Sequence, residues 1–189
     1  MTYPSDQLQF IDISQMPKGF SLLAPLSGDI YPLNQLNGQL SGQLSEQLCK
    51  QPLISKGILG EGLAIEMVGN KLLAPFDGIV TELSPTCQRI QLKASNGVKL
   101  LIMLPTQTSQ LMGKGFSRQV QEQQTIRQGQ LLLTFNLQQL QQLVSPCYAA
   151  VVITNAEKLG NILTSVKKVT AGEDVLFTVT AKRQIKKSK

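Results

Sequence analysis

Short runs rich in Val, Ile, Leu and Thr recur along this chain, and Gly or Pro breaks the pattern at close intervals. The runs over 62–67, 79–83, 89–93, 98–104, 130–135, 149–154 and 174–181 have the length and residue types of β-strands. Arg89-Ile-Gln-Leu-Lys alternates polar and apolar side chains, the pattern of a strand with one buried face. Asn96-Gly97 stands between two such runs and is a strong hairpin signal. Strands this close together, with turn chemistry between them, predict an all-β sandwich or barrel. Two stretches carry a short helical pattern instead. Leu137-Gln-Gln-Leu-Gln-Gln-Leu-Val sets leucines on one stripe behind Asn136, a candidate N-cap. Asn155-Ala-Glu-Lys-Leu begins with a second candidate cap.

One motif occurs twice. Leu22-Leu-Ala-Pro-Leu-Ser-Gly returns as Leu72-Leu-Ala-Pro-Phe-Asp-Gly. Pro25 and Pro75 set φ at the entry of a turn, and Gly28 and Gly78 ease its exit. Two related halves predict a pseudo-symmetric sandwich. Residues 34–51 have another texture, with Gln-Leu repeated every four residues. Gly38 and Gly42 would each cost a helix there about 1 kcal/mol, so a surface insert is expected. Residues 1–20 read as an extended lead-in, 21–181 as a single domain, and 182–189 as a basic tail.

Composition narrows the chemistry. The chain has 189 residues, enough for one full core, and aromatics make up only 5%, so Leu, Ile and Val must build that core. No apolar run approaches the roughly 18–20 residues that span a bilayer. The opening Met1-Thr-Tyr-Pro-Ser-Asp lacks a basic stretch followed by an apolar one, so no secretory signal is expected and the cytosol is the expected location. Cys49, Cys87 and Cys147 stand in no metal-ligand spacing. Net charge is +6, with Lys182, Arg183, Lys186, Lys187 and Lys189 near the end. No aromatics interleave with those cations, and nucleic acid is not an expected partner.

Residues 59–83, with Gly60-Glu-Gly-Leu-Ala-Ile and Gly69-Asn-Lys-Leu-Leu-Ala-Pro-Phe-Asp-Gly at their centre, resemble the signature of the glucose-type enzyme IIA proteins of the bacterial phosphoenolpyruvate:sugar phosphotransferase system. The resemblance runs from about Leu22 to Ala181, through Ser95-Asn-Gly-Val-Lys-Leu-Leu-Ile, Gly113-Lys-Gly-Phe, Val151-Val-Ile-Thr-Asn and Val169-Thr-Ala-Gly-Glu. It implies an antiparallel β-sandwich of the barrel-sandwich hybrid kind, with short helices. Biotinyl and lipoyl carriers share the Ala-Pro-x-x-Gly turn, but their lysine triplets, Met-Lys-Met or Asp-Lys-Ala, are absent here.

The family relays a phosphoryl group on one of two facing histidines, and this chain has no histidine. By resemblance, Gln88 stands where the acceptor histidine belongs and Met103 where its partner belongs. Gln107 and Gln51 replace two aspartates of the rim, and Thr86 retains a threonine. A carboxamide nitrogen has its lone pair delocalised into the carbonyl, and a thioether has no proton to donate. The resemblance therefore implies a phosphoryl site without a catalytic residue, and no cofactor or metal, since the family's zinc ligands are the same histidines. Read as residues alone, Met103 is core filler, Gln88 and Gln107 are surface amides, and Glu61 and Asp77 are turn residues. By resemblance the partners are a small phosphocarrier protein, a IIB domain, or a regulated permease or kinase, with membrane association only through such a partner. A regulatory binding domain is one outcome. An active component using Cys87 or Thr86 as acceptor, and a scaffold with no tie to sugar transport, remain as alternatives. Cys87 would point away from the depression if Gln88 lines it. A structural hydrogen bond is the expected role of Thr86.

Overall fold

In chain order the strands are β1 (Leu8–Phe10), β2 (Phe20–Leu23), β3 (Gly28–Pro32), β4 (Glu61–Met67), β5 (Lys71–Leu73), β6 (Gly78–Leu83), β7 (Arg89–Ala94) and β8 (Lys99–Met103). They continue as β9 (Phe116–Arg118), β10 (Thr125–Ile126), β11 (Leu131–Phe135), β12 (Tyr148–Ile153), β13 (Ile162–Thr164), β14 (Lys168–Val169) and β15 (Val175–Val179). Among the described residues one α-helix, α1 (Leu137–Leu143), and 3-10 turns at Ile13–Gln15, Thr106–Leu111 and Ala156–Lys158 join them. This computed structural model describes residues 8–33 and 60–181. The insert expected over 34–51, the position Gln51 and the basic tail lie outside the described residues.

The strands form an 8-stranded sheet, β10-β6-β7-β8-β12-β4-β3-β14, a 4-stranded sheet, β1-β13-β15-β2, and a 3-stranded sheet, β5-β11-β9. One core joins all three. It takes Ile65, Leu92, Ile102 and Val151 from the large sheet, Leu22 and Phe177 from the second, and Leu72 and Leu133 from the third. The result is the expected antiparallel sandwich; β1 departs from the pattern and runs parallel to β13. The described part of the expected lead-in is thus a paired strand and a 3-10 turn capped by Asp12, whose Oδ1 accepts the Ser14 N–H at 2.9 Å.

The two copies of the repeated motif meet in the fold. Leu23 N–H donates to the Pro75 carbonyl at 3.0 Å, and Leu73 N–H donates to the Pro25 carbonyl at 2.9 Å. Gly172 N–H caps Ala24, and Gly129 N–H caps Ala74, both at 2.8 Å. The two Leu-Ala-Pro turns therefore bond each other reciprocally, and a glycine with φ near +76° to +77° closes each from outside. Gly28 at the start of β3 has φ +154°, and a Cβ there would lie 1.8 Å from the Glu66 carbonyl oxygen.

Asn136 caps α1 as its position implies, accepting the Gln139 N–H at 3.1 Å. Asn155 does not cap the turn that follows it. Its Oδ1 accepts the Lys99 N–H at 2.9 Å and its Nδ2 donates to the Gly97 carbonyl at 3.0 Å. The side chain is committed to clamping the neighbouring hairpin, which leaves Ala156–Lys158 as a bare 3-10 turn.

Candidate functional site

The β7–β8 hairpin builds the region to which Gln88 and Met103 belong. Its loop is one residue longer than an Asn-Gly two-residue turn. Ala94 N–H bonds the Val98 carbonyl at 2.9 Å, Gly97 N–H bonds the Ala94 carbonyl at 2.9 Å, and Gly97 takes φ +90°. A three-residue loop ending in a left-handed glycine is the common alternative hairpin closure. It fixes the register as Arg89 opposite Met103, Gln91 opposite Leu101 and Lys93 opposite Lys99. Directly opposed residues of an antiparallel pair share a face. Arg89, Gln91 and Lys93 therefore lie on the outer face of the large sheet with Met103, Leu101 and Lys99, while Ile90, Leu92 and Ile102 point into the core.

Met103 is 5% exposed and belongs to a second apolar cluster, on the outer face, with Leu33, Ala64, Leu101, Tyr148, Ala150 and Val152. Tyr31 packs against it, its ring 5.7 Å from that of Tyr148 and nearly perpendicular. The Tyr31 hydroxyl donates to Glu66 Oε2 at 3.1 Å. Burial raises the Tyr31 pKa, and the Glu66 carboxylate that accepts its hydroxyl raises it further. Burial, followed by the charge of Glu66, pushes Tyr148 up to about 12. Beside Met103, the Arg89 guanidinium lies 3.5 Å from Glu82, with both side chains more than a third exposed. The distance is that of an ion pair, but the Nε atom is buried and makes no hydrogen bond, so the pair is loose.

Gln88 directly precedes β7 and is half-buried. Its carbonyl accepts the Leu104 N–H at 2.9 Å, which continues the ladder one step beyond Arg89 and Met103. Gln88 and Met103 thus sit at the same end of the hairpin but are not opposed; Arg89 holds that place. Pro105 follows, and its carbonyl accepts both the N–H and the hydroxyl of buried Thr108, the latter at 2.6 Å. The turn so formed carries Gln107, whose Oε1 accepts the Thr106 hydroxyl at 3.2 Å.

Thr86 lies half-buried in the turn before Gln88, and its hydroxyl has no hydrogen-bond partner among the described residues. Among the described residues the expected structural bond has no counterpart. Cys87 is 1% exposed, packs in the main core and takes φ +59°. Its Sγ accepts the Arg118 Nε–H at 3.2 Å, and Arg118 Nη2 also donates to the Ser84 and Pro85 carbonyls. Arg118 thereby ties β9 to the loop that positions Gln88. Arg89 and Arg118 are the side chains that pattern reading missed. The register arithmetic of a three-residue loop would have found Arg89; nothing local points to Arg118.

Among the described residues no cluster of Cys, Asp and Glu could hold a metal, and no helix is long and apolar enough to cross a membrane.

The model for the phosphoenolpyruvate-dependent sugar phosphotransferase system, EIIA 1, matches residues 20–159. The chain belongs to the EIIA 1 family. A similar relative is the PTS system glucose-specific EIIA component of Haemophilus influenzae, 30% identical over 127 residues, covering 67% of this chain and 76% of that protein. The PTS system glucose-specific EIIBCA component of Corynebacterium glutamicum is 32% identical over 142 residues, covering 75% of this chain and 19% of that longer protein. Among solved structures, the glucose permease IIA from Mycoplasma capricolum superposes with a TM-score of 0.66 at 23% identity, covering 85% of this chain and 96% of that one; that likeness is one of fold. The matched residues include Gln88 and Met103.

Proposed function

We propose that this EIIA 1 domain accepts no phosphoryl group and works by contact, as a regulatory binding member of the sugar phosphotransferase system. The observation that carries this reading is the absence of histidine from the whole sequence, together with the chemistry at the end of the β7–β8 hairpin. The residue at the assigned acceptor position, Gln88, carries an amide, and the residue at the assigned partner position, Met103, a buried thioether. Neither Gln88 nor Met103 provides a basic nitrogen at neutral pH. The domain then presents one constant state, most simply that of an unphosphorylated IIA component, to a phosphocarrier protein, a IIB domain or a regulated permease or kinase in the cytosol.

An alternative acceptor finds little support. Cys87 is closed into the core, and a thiolate must reach its donor to attack it. Thr86 has no base bonded to its hydroxyl among the described residues. Incubation with phosphoenolpyruvate, the first enzyme and the phosphocarrier, followed by intact-mass measurement, tests the proposal. An unchanged mass is expected; a stoichiometric adduct, on any residue, would falsify it.

A further inference from the structure

The outer face beside Met103 carries a column of cations. Arg89 and Lys93 stand four residues apart on β7, and Lys99 on β8 is directly opposite Lys93. Lys93 and Lys99 are both exposed. Like charges placed directly across an antiparallel pair repel and cost stability. Among the described residues, Glu82 is the carboxylate paired on this face, with Arg89, and none lies within ion-pair distance of Lys93 or Lys99. Past Lys93 the face opens into a groove of about 560 Å³ whose walls include Ile79, Lys93 and Arg127. Asp77, also at that groove, is held by the Gln128 N–H at 2.7 Å.

We propose that this face docks an acidic, extended segment of a partner protein, its carboxylates lying along Arg89, Lys93 and Lys99 and its end in the groove at Arg127. The inference deepens the contact reading above and rests on it. An extended chain presents every second side chain to one face, about 6.6–6.8 Å apart. Arg89 and Lys93, four residues apart on β7, lie at about twice that spacing, so alternate carboxylates of such a segment meet the two cations and the one between them faces Gln91. Nucleic acid is less well served, because the nearby rings of Tyr31 and Tyr148 are turned into the apolar cluster and leave no platform for stacking bases. Lipid is less well served too. The exposed large apolar side chains, Phe10, Ile13, Val68, Met112 and Val175, all lie off β7 and β8.

The test is an NMR titration of the full chain with a synthetic peptide alternating glutamate and valine. Its controls are the lysine–valine counterpart, an oligothymidylate, and vesicles of phosphatidylglycerol and phosphatidylcholine. Amide shifts confined to β7, β8 and the Arg127 turn are expected with the glutamate peptide and not with the lysine peptide. Lys93→Gln with Lys99→Gln, at exposed positions that leave the core intact, should weaken binding about five- to tenfold. Lys93→Arg with Lys99→Arg should retain it, and added salt should weaken it. Equal response to the two peptides, no response, or tighter binding of the oligonucleotide or vesicles would overturn the proposal. A phospho-adduct with the peptide response intact would remove the contact reading alone. No adduct and no peptide response would remove this inference alone.

Discussion

Met103→His would place an imidazole at the position that the resemblance assigns to a family histidine, and the packing around Met103 should resist it. Met103 is 5% exposed and packs among Leu101, Tyr148, Ala150 and Val152. Full burial of a methionine is worth roughly 1.5–3 kcal/mol. A buried polar group without a hydrogen bond costs about 1–3 kcal/mol more. The substitution should therefore remove about 3–5 kcal/mol, a large share of the ~5–15 kcal/mol that holds a domain of ordinary stability. Burial and the opposed Arg89 both disfavour the imidazolium, so the new ring should titrate well below the ordinary value of about 6.5. Met103→Leu, similar in volume, should cost less than about 1.5 kcal/mol. Urea unfolding gives the energies, and ring-proton NMR against pH gives the titration. A loss under about 1 kcal/mol, with an ordinary imidazole pKa, would mean that the position is open to solvent as a relay site must be, and the reasoning would fail.

Gly28→Ala should destabilise by about 3 kcal/mol or more, because its Cβ would meet the Glu66 carbonyl oxygen at 1.8 Å. Gly97→Ala, with open space around it, should cost only the ~1–2 kcal/mol of a left-handed alanine; similar losses for both in thermal melts would refute the distinction. Asn155→Ala removes the clamp on Lys99 and Gly97 and should lower stability by about 1–3 kcal/mol, with faster hydrogen exchange at the β7–β8 turn as the local readout. Burial pushes Cys147 from 9.0 up to about 12 and Tyr148 from 10.0 up to about 12. A raised folded-state pKa means that the stabilising contribution is complete below the unfolded value and lost as pH climbs toward the folded one. Urea midpoints should therefore fall between pH 9.0 and about 12, less steeply in Tyr148→Phe; a flat profile would contradict this.

Much of the fold was legible because its signals are local. Apolar runs bounded by Gly and Pro gave β4, β6, β7, β8 and β12 of the large sheet to within about two residues, the usual scatter of element ends, but not its β3, β10 and β14, and the doubled Leu-Ala-Pro motif gave the two equivalent turns. Asn136 capped its helix for the same reason. The pairing of the lead-in was not legible because three residues of strand, Leu8–Phe10, carry too short a pattern, and their partner β13 lies at the other end of the chain. Asn155 was misread because its true partners, Lys99 and Gly97, come from another hairpin. Register was the missing step at the site. An Asn-Gly pair signals a hairpin but not the length of its loop. One added residue shifts which side chain opposes Met103 and so hid Arg89. The outer cluster of Tyr31, Met103 and Tyr148 is assembled across separate strands, and no stretch of sequence announces it.

The most direct test of the central claim is transfer of radiolabelled phosphate from the phosphorylated phosphocarrier to this domain. The glucose-specific EIIA component of Haemophilus influenzae, run alongside, shows that the donor is competent. Label on the relative, with the donor alone remaining labelled beside this chain, is the result that the chemistry of Gln88 and Met103 requires. Label on this chain that survives separation from the donor would show that some other side chain relays phosphate, and would contradict the account.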